Sequence, residues 1–180
     1  MKNSWKTLSS KLIYQDHWIK VFLDKVIDPG GKKSTYAYVK KLPAVIIIPL
    51  TVEKEIYLVG QWRYPIKRYS WELPMGSRGS AESLLVSAKR ELLEETNLKA
   101  KKWDKIGYVH FANGLLDQIG HIYLARDLTK AQGDADDSEK IKIKRFTLKQ
   151  IDKMISQDKI TDGATITAYY KLKLFLEDVK

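Results

Sequence analysis

Apolar and polar positions alternate along the first third of the chain, and this alternation predicts a series of β-strands. The predicted strands cover residues 8–14, 18–26, 35–41, 44–50 and 55–62. The sequence Asp28-Pro29-Gly30-Gly31 is a strong turn signal between two of them. Residues 44–50 form a continuous apolar run rich in β-branched side chains, which is typical of a fully buried strand. The strand over residues 55–62 is predicted to be its hairpin partner.

Helical periodicity first appears over residues 80–97. Ser80 is expected to cap this helix, with Glu82 in the first turn, where the helix dipole favours a carboxylate. Thr147 and Gln150 have the spacing of a capping box at the start of a later helix. The remaining predicted elements are strands over residues 103–111, 119–125 and 140–145 and a helix over residues 162–178. Strands, a helix, strands and then helices predict an α+β fold.

The composition narrows the class of protein. The chain has 180 residues, which favours one domain or one domain with a small appendage. It contains no cysteine, which excludes disulfides, cysteine-ligated zinc and a cysteine nucleophile. The longest apolar run, over residues 44–50, is far shorter than the ~18 residues of a membrane span. With no apolar signal-peptide core after Met1, these features predict a cytoplasmic protein without a membrane partner.

The net charge of the chain is strongly positive. Lysine and arginine total 32 against 22 acidic residues, which gives a formal charge of +10. Nucleic acid is the usual partner of such a basic protein. A lysine-rich solvated surface is the more ordinary explanation, and we favour it. The position of the charges along the chain is therefore more informative than their sum.

Three carboxylates share one face of the predicted helix over residues 80–97. Glu91 lies three residues before Glu94 and four before Glu95, so at about 100° per residue the three side chains are neighbours. A solvated acidic face is the usual explanation for such a sequence. Here a loop containing Gly76 precedes the helix, and like charges at this spacing destabilise an isolated helix. A divalent cation would relieve their repulsion, and an all-oxygen ligand set suits magnesium or manganese.

The segment over residues 76–98 resembles the Nudix box, with every spacing correct. The matching residues are Gly76, Glu82, Arg90, Glu91, Leu92, Glu94, Glu95 and Leu98. One position departs from the pattern, because Asn97 stands where the family has glycine. That position ends the helix in a left-handed conformation, which asparagine tolerates next best after glycine.

The resemblance implies a fold, a reaction and a metal site. The Nudix fold is an α/β/α sandwich with a mixed central sheet, and Nudix enzymes hydrolyse a nucleoside diphosphate linked to another moiety. By this resemblance Mg²⁺, or Mn²⁺ in its place, would be bound by the carboxylates of Glu91, Glu94 and Glu95 and by a main-chain carbonyl of Met75 or Gly76. Arg90 and Glu94 would belong to the catalytic group. Glu82 would order the start of the helix through a cation, for which the sequence offers Arg78, Lys89 and Arg90.

Outside the box, residues 8–176 resemble the ADP-ribose pyrophosphatase branch of the Nudix family. The segments that carry this likeness are Gln61–Pro65, Trp71–Gly76, His121–Leu128 and residues 154–166. The likeness implies a β-rich segment over residues 1–43 that pairs two subunits into a homodimer, followed by a hydrolase domain over residues 44–180. Trp18 and Tyr36 of the first segment would stack on the nucleobase. Each of these two rings could equally be an ordinary core or sheet-surface aromatic.

The same likeness implies roles for further residues. Arg63 would bind a phosphate, with a surface salt bridge as the alternative, and Glu72 would hydrogen-bond a ribose or support the loop. Glu139 is the preferred general base, because this branch draws its base from an acidic loop after the box. The other acidic residues of that loop are Asp134, Asp136 and Asp137. An exposed acidic turn is the alternative for these three.

The expected substrate is ADP-ribose or a related nucleoside diphosphate sugar, cleaved to a nucleoside monophosphate and a sugar phosphate. One departure weakens ADP-ribose itself, because Ala112-Asn113-Gly114 replaces the Ser-Pro-Gly usual in the branch. Another sugar nucleotide such as GDP-mannose is therefore the first alternative. A nucleic-acid-binding or RNA-processing Nudix protein is the second, although three crowded glutamates argue against a purely binding role. Cleavage of 8-oxo or deoxynucleoside triphosphates is the third and ranks last.

Overall fold

The structure is a computed structural model, and it describes residues 4–132 and 141–178. Within these residues it contains ten strands and three helices. The strands are β1 (Lys6–Gln15), β2 (Lys20–Ile27), β3 (Lys33–Lys40), β4 (Ala44–Pro49), β5 (Glu55–Arg63), β6 (Arg68–Glu72), β7 (Met75–Ser77), β8 (Leu98–Ala112), β9 (Leu116–Lys130) and β10 (Lys142–Thr147). The helices are α1 (Leu84–Thr96), α2 (Leu148–Ser156) and α3 (Gly163–Asp178). The predicted α+β class is confirmed.

The chain divides into two compact units. The N-terminal unit comprises Met1–Leu42 together with His110–Gln118, and the main unit comprises Pro43–Val109 and Ile119–Lys180. The N-terminal unit therefore includes nine residues from the middle of the chain. No helix in the described part of the chain is both long and apolar enough to cross a membrane.

Three antiparallel strands form the N-terminal unit, in the order β1-β2-β3. Asp28 closes the turn between β2 and β3, since its Oδ1 accepts hydrogen bonds from the main-chain N–H groups of Gly30 and Lys32 at 2.9 Å each. The middle segment is attached to β3 in two ways. Val39 pairs with Leu116 in parallel, and the Tyr36 hydroxyl donates to the Gly114 carbonyl oxygen at 2.8 Å.

The sheet of the main unit is built around β4, all of whose residues are buried. β4 pairs with β9 in parallel and with β7 in antiparallel, and β8 pairs with β9. Val45 and Ile47 of β4 pack against Ala88 and Leu92 of α1 in one buried cluster. Burial of these branched side chains is the main force holding α1 on the sheet. The helix is thus fixed beside β7, the strand that contains Gly76.

The predicted pairing of β5 with β4 is wrong. β5 lies in a second, three-stranded sheet, in the order β10-β5-β6, and meets the end of β4 only through an isolated bridge between Leu50 and Ile56. Both edges of β4 are already paired with β9 and β7. The pattern of apolar residues showed that both strands are buried, but burial does not specify which strands share hydrogen bonds. The short strands β6 and β7 were also missed.

Helix α1 begins later than predicted. Its N-cap is Ser83, whose Oγ accepts a hydrogen bond from the Val86 main-chain N–H at 3.3 Å, so Ser80 is not the cap. Glu82 consequently precedes the helix and is not in its first turn. Asn97 ends the helix with φ 55° and ψ 35°, the left-handed conformation expected at this position. The capping box of Thr147 and Gln150 at the start of α2 is confirmed, with both reciprocal hydrogen bonds present.

Candidate active site

Glu91 and Gly76 form the most closely packed contact of the site. A Cβ atom built on Gly76 would lie 2.1–2.3 Å from the carboxyl atoms of Glu91. Real Cβ atoms do not approach other atoms so closely, so only glycine allows the strand and this carboxylate to occupy their places. Glu91 is 9% exposed and lies on α1, while Gly76 pairs with Val45 in the sheet. The packing of α1 on β4 therefore presses a carboxylate onto the main chain of β7.

Arg90 gathers three carboxylates of the predicted box. Its Nη1 lies 2.8 Å from Glu94 Oε2 and 2.9 Å from Glu91 Oε1, and its Nε lies 3.3 Å from Glu82 Oε1. Its Nη2 also donates to the Ser77 carbonyl oxygen at 3.4 Å. The guanidinium thereby ties the loop before α1 to the face of the helix that carries the acidic side chains.

Glu82 is fixed from two further directions. The Ser87 hydroxyl donates a hydrogen bond to Glu82 Oε2 at 2.8 Å, and Gly79 packs so closely that a Cβ there would lie 2.8 Å from the same oxygen. The hydrogen bond from Ser87 is the largest cause of a lowered pKa at Glu82, with burial opposing it and Arg90 adding to it. Of the three cations that the sequence offered as its partner, the ion pair that the structure describes is with Arg90.

The pKa of Glu91 is raised. Burial is the largest cause, the neighbouring Arg90 guanidinium opposes it, and the Glu94 carboxylate adds to it. Arg90 alone therefore does not compensate the negative charge of this buried carboxylate. Such a carboxylate is suited to a further cation.

The residues of the acidic face fit a hard divalent cation in chemical type, since they offer carboxylate and main-chain oxygens. Glu95 Oε2 accepts a hydrogen bond from the Met75 main-chain N–H at 3.3 Å, so Met75 and Gly76 each lie against one of the three glutamates. Among the residues that the structure describes, no three acidic, histidine or cysteine side chains are arranged to hold a metal ion. Arg90 instead holds Glu91 and Glu94, so binding a metal there requires these carboxylates to reorient.

Arg63 and Glu72 were predicted as separate substrate ligands, and the structure joins them. Arg63 Nε donates to the two oxygens of Glu72 at 3.0 and 3.2 Å, and Nη2 donates to Oε2 as well. The Glu72 side chain is buried, whereas that of Arg63 is 36% exposed. The bidentate pair links β5 to β6 and holds the guanidinium in one orientation. The salt bridge that the sequence offered as the alternative for Arg63 is therefore present.

Trp18 and Tyr36 lie apart within one chain. Trp18 is 68% exposed, in the turn before β2, where Asp16 Oδ1 accepts hydrogen bonds from its main-chain N–H and from that of Ile19 at 2.7 Å each. Lys40, the last residue of β3, pairs with Lys20, which lies two residues after Trp18. Tyr36 lies four residues before Lys40 and is therefore further inside the sheet. At about 3.3 Å per strand residue, the two aromatic residues are on the order of 13 Å apart along the strands. From this backbone separation we expect that one chain does not bring these two rings together on one base.

A cavity of about 520 Å³ lies beside Trp18 in the N-terminal unit. Its lining includes Lys40, Lys41 and Asp117, which the sequence did not single out. Tyr36 is instead engaged edge-to-face with Trp5 at 5.4 Å between ring centroids.

The predicted base, Glu139, and the acidic residues near it lie outside the described residues, so its role stays a prediction.

Sequence reasoning missed the contributions of Ser87 and of the Ser77 carbonyl. Ser87 is fully buried on α1. A serine among apolar side chains on the buried side of a helix is a recognisable signal, because a buried hydroxyl needs a partner. The Ser77 carbonyl has no signal in the sequence, since a main-chain acceptor depends only on where the strand runs.

Comparisons with known proteins agree with this geometry. The sequence model of the NUDIX domain matches residues 40–166, and that of the nucleoside diphosphate sugar hydrolase N-terminal domain matches residues 5–39. The chain therefore belongs to the Nudix family, which generally uses a divalent metal, and it is a Nudix hydrolase. The resemblance stated from the sequence is confirmed.

Curated relatives match the chain over most of its length. The chain is 32% identical over 171 residues to the ADP-ribose pyrophosphatase of Bacillus subtilis (strain 168), covering 94% of this chain and 92% of the relative. It is 30% identical, with the same coverage, to the methanol dehydrogenase activator of Bacillus methanolicus. A crystal structure of an ADP compounds hydrolase superposes with a TM-score of 0.86 at 18% identity, covering 98% of this chain and 96% of the other. That likeness confirms the Nudix fold.

Proposed function

We propose that this protein is a Mg²⁺-dependent pyrophosphohydrolase that cleaves ADP-ribose or a related nucleoside diphosphate sugar to a nucleoside monophosphate and a sugar phosphate. Mn²⁺ is expected to support the same reaction in place of Mg²⁺. The observation that carries the proposal is the buried Glu91 carboxylate pressed against Gly76 and joined through Arg90 to Glu94. The substrate class is supported by the ADP-ribose pyrophosphatase of Bacillus subtilis (strain 168) and by an ADP-sugar pyrophosphatase of Mus musculus, which is 30% identical over 89% of this chain.

In this proposal the metal is bound by Glu91, Glu94 and Glu95 with a main-chain carbonyl of Met75 or Gly76. When bound, a divalent cation neutralises phosphate charge and lowers the pKa of an attacking water. Arg90 positions the carboxylates, because it touches two of them directly. The β7 main chain and α1 hold these oxygens on one rigid support.

The remaining predicted residues bind substrate or move a proton. Arg63, oriented by Glu72 and with a side chain that is 36% exposed, is proposed to bind a phosphate. Glu139 is proposed to take the proton of the attacking water. Trp18 and Tyr36 are proposed to stack on the base, and because they lie apart in one chain, a base held by both needs one ring from each of two subunits.

A homodimer is therefore part of the proposal. Every residue of β1 is exposed, although the strand carries Leu8, Leu12, Ile13 and Tyr14. A strand with this many exposed apolar side chains is typical of a surface that a partner covers. We propose that the partner is a second copy of the chain.

The test is turnover of a defined panel. Purified protein with Mg²⁺ is incubated with ADP-ribose, ADP-glucose, UDP-glucose, GDP-mannose and a nucleoside triphosphate, and products are resolved by ion-exchange chromatography. We expect AMP and ribose 5-phosphate from ADP-ribose, abolished by EDTA and reduced about 10²-fold or more in Glu94→Gln. Preferred turnover of GDP-mannose would move the assignment to that sugar nucleotide. Turnover of none of the sugar nucleotides would refute the proposed function.

A further inference from the structure

Arg78 follows β7 directly, two residues after the Gly76 that packs against Glu91. The ladder that pairs Gly76 with Val45 extends to Arg78, whose main-chain N–H donates to the Pro43 carbonyl oxygen at 2.8 Å. Side chains alternate along a strand, so residues two apart point to the same side. By this alternation we expect Arg78 to lie on the side of the strand on which Gly76 meets the Glu91 carboxylate, about 7 Å further along.

Among the described residues, Arg78 has no carboxylate partner, whereas the other two arginines of this region have one or more. Arg63 is paired with Glu72, and Arg90 is paired with three glutamates. Within residues 4–132 and 141–178, Arg78 takes part in no ion pair. Its Nε is buried and has no hydrogen-bond partner. Buried polar atoms in folded proteins nearly always have a partner, so an unpaired one calls for an explanation.

We propose that Arg78 is a further substrate-binding residue, whose guanidinium binds a non-bridging phosphoryl oxygen of the diphosphate. This inference rests on the proposed function. A guanidinium cannot bind a metal ion, and its planar set of N–H donors matches the oxygens of a phosphate. A diphosphate anchored beside Glu91 would supply an acceptor within the length of an arginine side chain.

The position of Arg78 also separates its role from that of Arg90. Arg90 is saturated by carboxylates of the protein and acts on the metal-binding face. Arg78 has donors left for a ligand. Because it would hold a phosphoryl oxygen equally before and during reaction, its loss should weaken substrate binding more than it slows the chemical step.

The test compares Arg78→Gln and Arg78→Lys with the unmodified full-length protein. On the best substrate of the panel, we expect Arg78→Gln to raise KM about tenfold or more, with kcat changed less than about threefold. Calorimetry with the non-hydrolysable α,β-methylene analogue should show the same loss of affinity. Lysine keeps the charge without the planar donors, so Arg78→Lys should recover part of that affinity.

Arg126→Gln is the matched control, because Arg126 also has an unpartnered Nε but is paired with Asp104. It should leave KM unchanged, and Mn²⁺ affinity measured by electron paramagnetic resonance should be the same in Arg78→Gln as in the parent. An unchanged KM in Arg78→Gln, or a KM raised equally in the Arg126 control, would overturn the inference while leaving the function intact. If the parent protein turns over no sugar nucleotide, the proposed function itself fails.

Discussion

At the scale of single residues, this site depends on the absence of a side chain at Gly76. The contact between Gly76 and Glu91 leaves no room for a methyl group, so main chain and carboxylate touch directly. Strand propensity gives no reason for a glycine at position 76, because glycine is depleted in strands. The requirement for glycine here comes from the neighbouring helix and not from the strand.

Gly76→Ala should therefore abolish most activity without unfolding the protein. The added Cβ displaces the Glu91 carboxylate, and a misplaced catalytic group costs on the order of 10²-fold in rate. We expect kcat/KM to fall by about that factor, with a far-ultraviolet circular dichroism spectrum like that of the parent. Gly163→Ala is the control, because nothing lies within 4 Å of a Cβ at that position. Full activity in Gly76→Ala would contradict the described contact.

Glu91→Gln should be inactive and yet more stable at pH 8. Burial raises the pKa of Glu91 above its value in the unfolded chain, so the ionised carboxylate opposes folding at any pH above that raised pKa. The neutral amide removes this cost. In EDTA we expect a gain of roughly 1–3 °C in Tm at pH 8, which corresponds to about 1 kcal/mol or less. As pH falls through the raised pKa, the parent carboxyl becomes protonated and the two Tm values should converge.

Glu94→Gln provides the comparison for that experiment. Its side chain is 39% exposed and pairs with Arg90 at the surface, so its removal should lower Tm slightly. A scanning-calorimetry series from pH 4 to pH 8 gives both differences. A Tm of Glu91→Gln below that of the parent at pH 8 would show that the Arg90 pair outweighs burial.

At the scale of elements, the start of α1 distinguishes two serines three residues apart. Ser83 caps the helix, whereas Ser80 does not. Ser83→Ala should cost about 1 kcal/mol of unfolding free energy, since the Val86 N–H loses its acceptor, and Ser80→Ala should cost less than about 0.5 kcal/mol. Urea denaturation followed by tryptophan fluorescence measures both. Equal losses in the two variants would contradict the assigned cap.

The sequence predicted elements better than it predicted their partners. The burial of residues 44–50, the capping box at Thr147 and the left-handed Asn97 all follow from local rules, and the structure has each of them. The partner of β5 does not follow, because strand pairing is a long-range choice that a local pattern leaves open. The pairing of Arg90 with Glu94 was foreseeable from its i,i+4 spacing, whereas the pairing of Arg63 with Glu72 depended on β6, a short strand that the sequence pattern did not predict.

At the scale of the whole molecule, the exposed apolar side chains of β1 lead us to expect a homodimer. We expect the parent protein to elute as a dimer of about 42 kDa, twice the 20.8 kDa of one chain. Leu12→Lys should shift it toward monomer, because a charge within an apolar interface is costly to desolvate. Lys11→Gln, one residue earlier, is the control. Light scattering after size exclusion gives the mass, and a monomeric parent would contradict the homodimer.

The division of the chain into two units also constrains when each can form during synthesis. The N-terminal unit includes His110–Gln118, so Tyr36 has no Gly114 carbonyl to bind until those residues have left the ribosome. At translation rates of roughly 5–20 residues per second, β1, β2 and β3 wait several seconds for the segment that completes them. Throughout that interval the apolar side chains of β1 belong to an N-terminal unit that still lacks His110–Gln118. A nascent chain stalled after residue 100 should therefore be more susceptible to protease in its first forty residues than one stalled after residue 160.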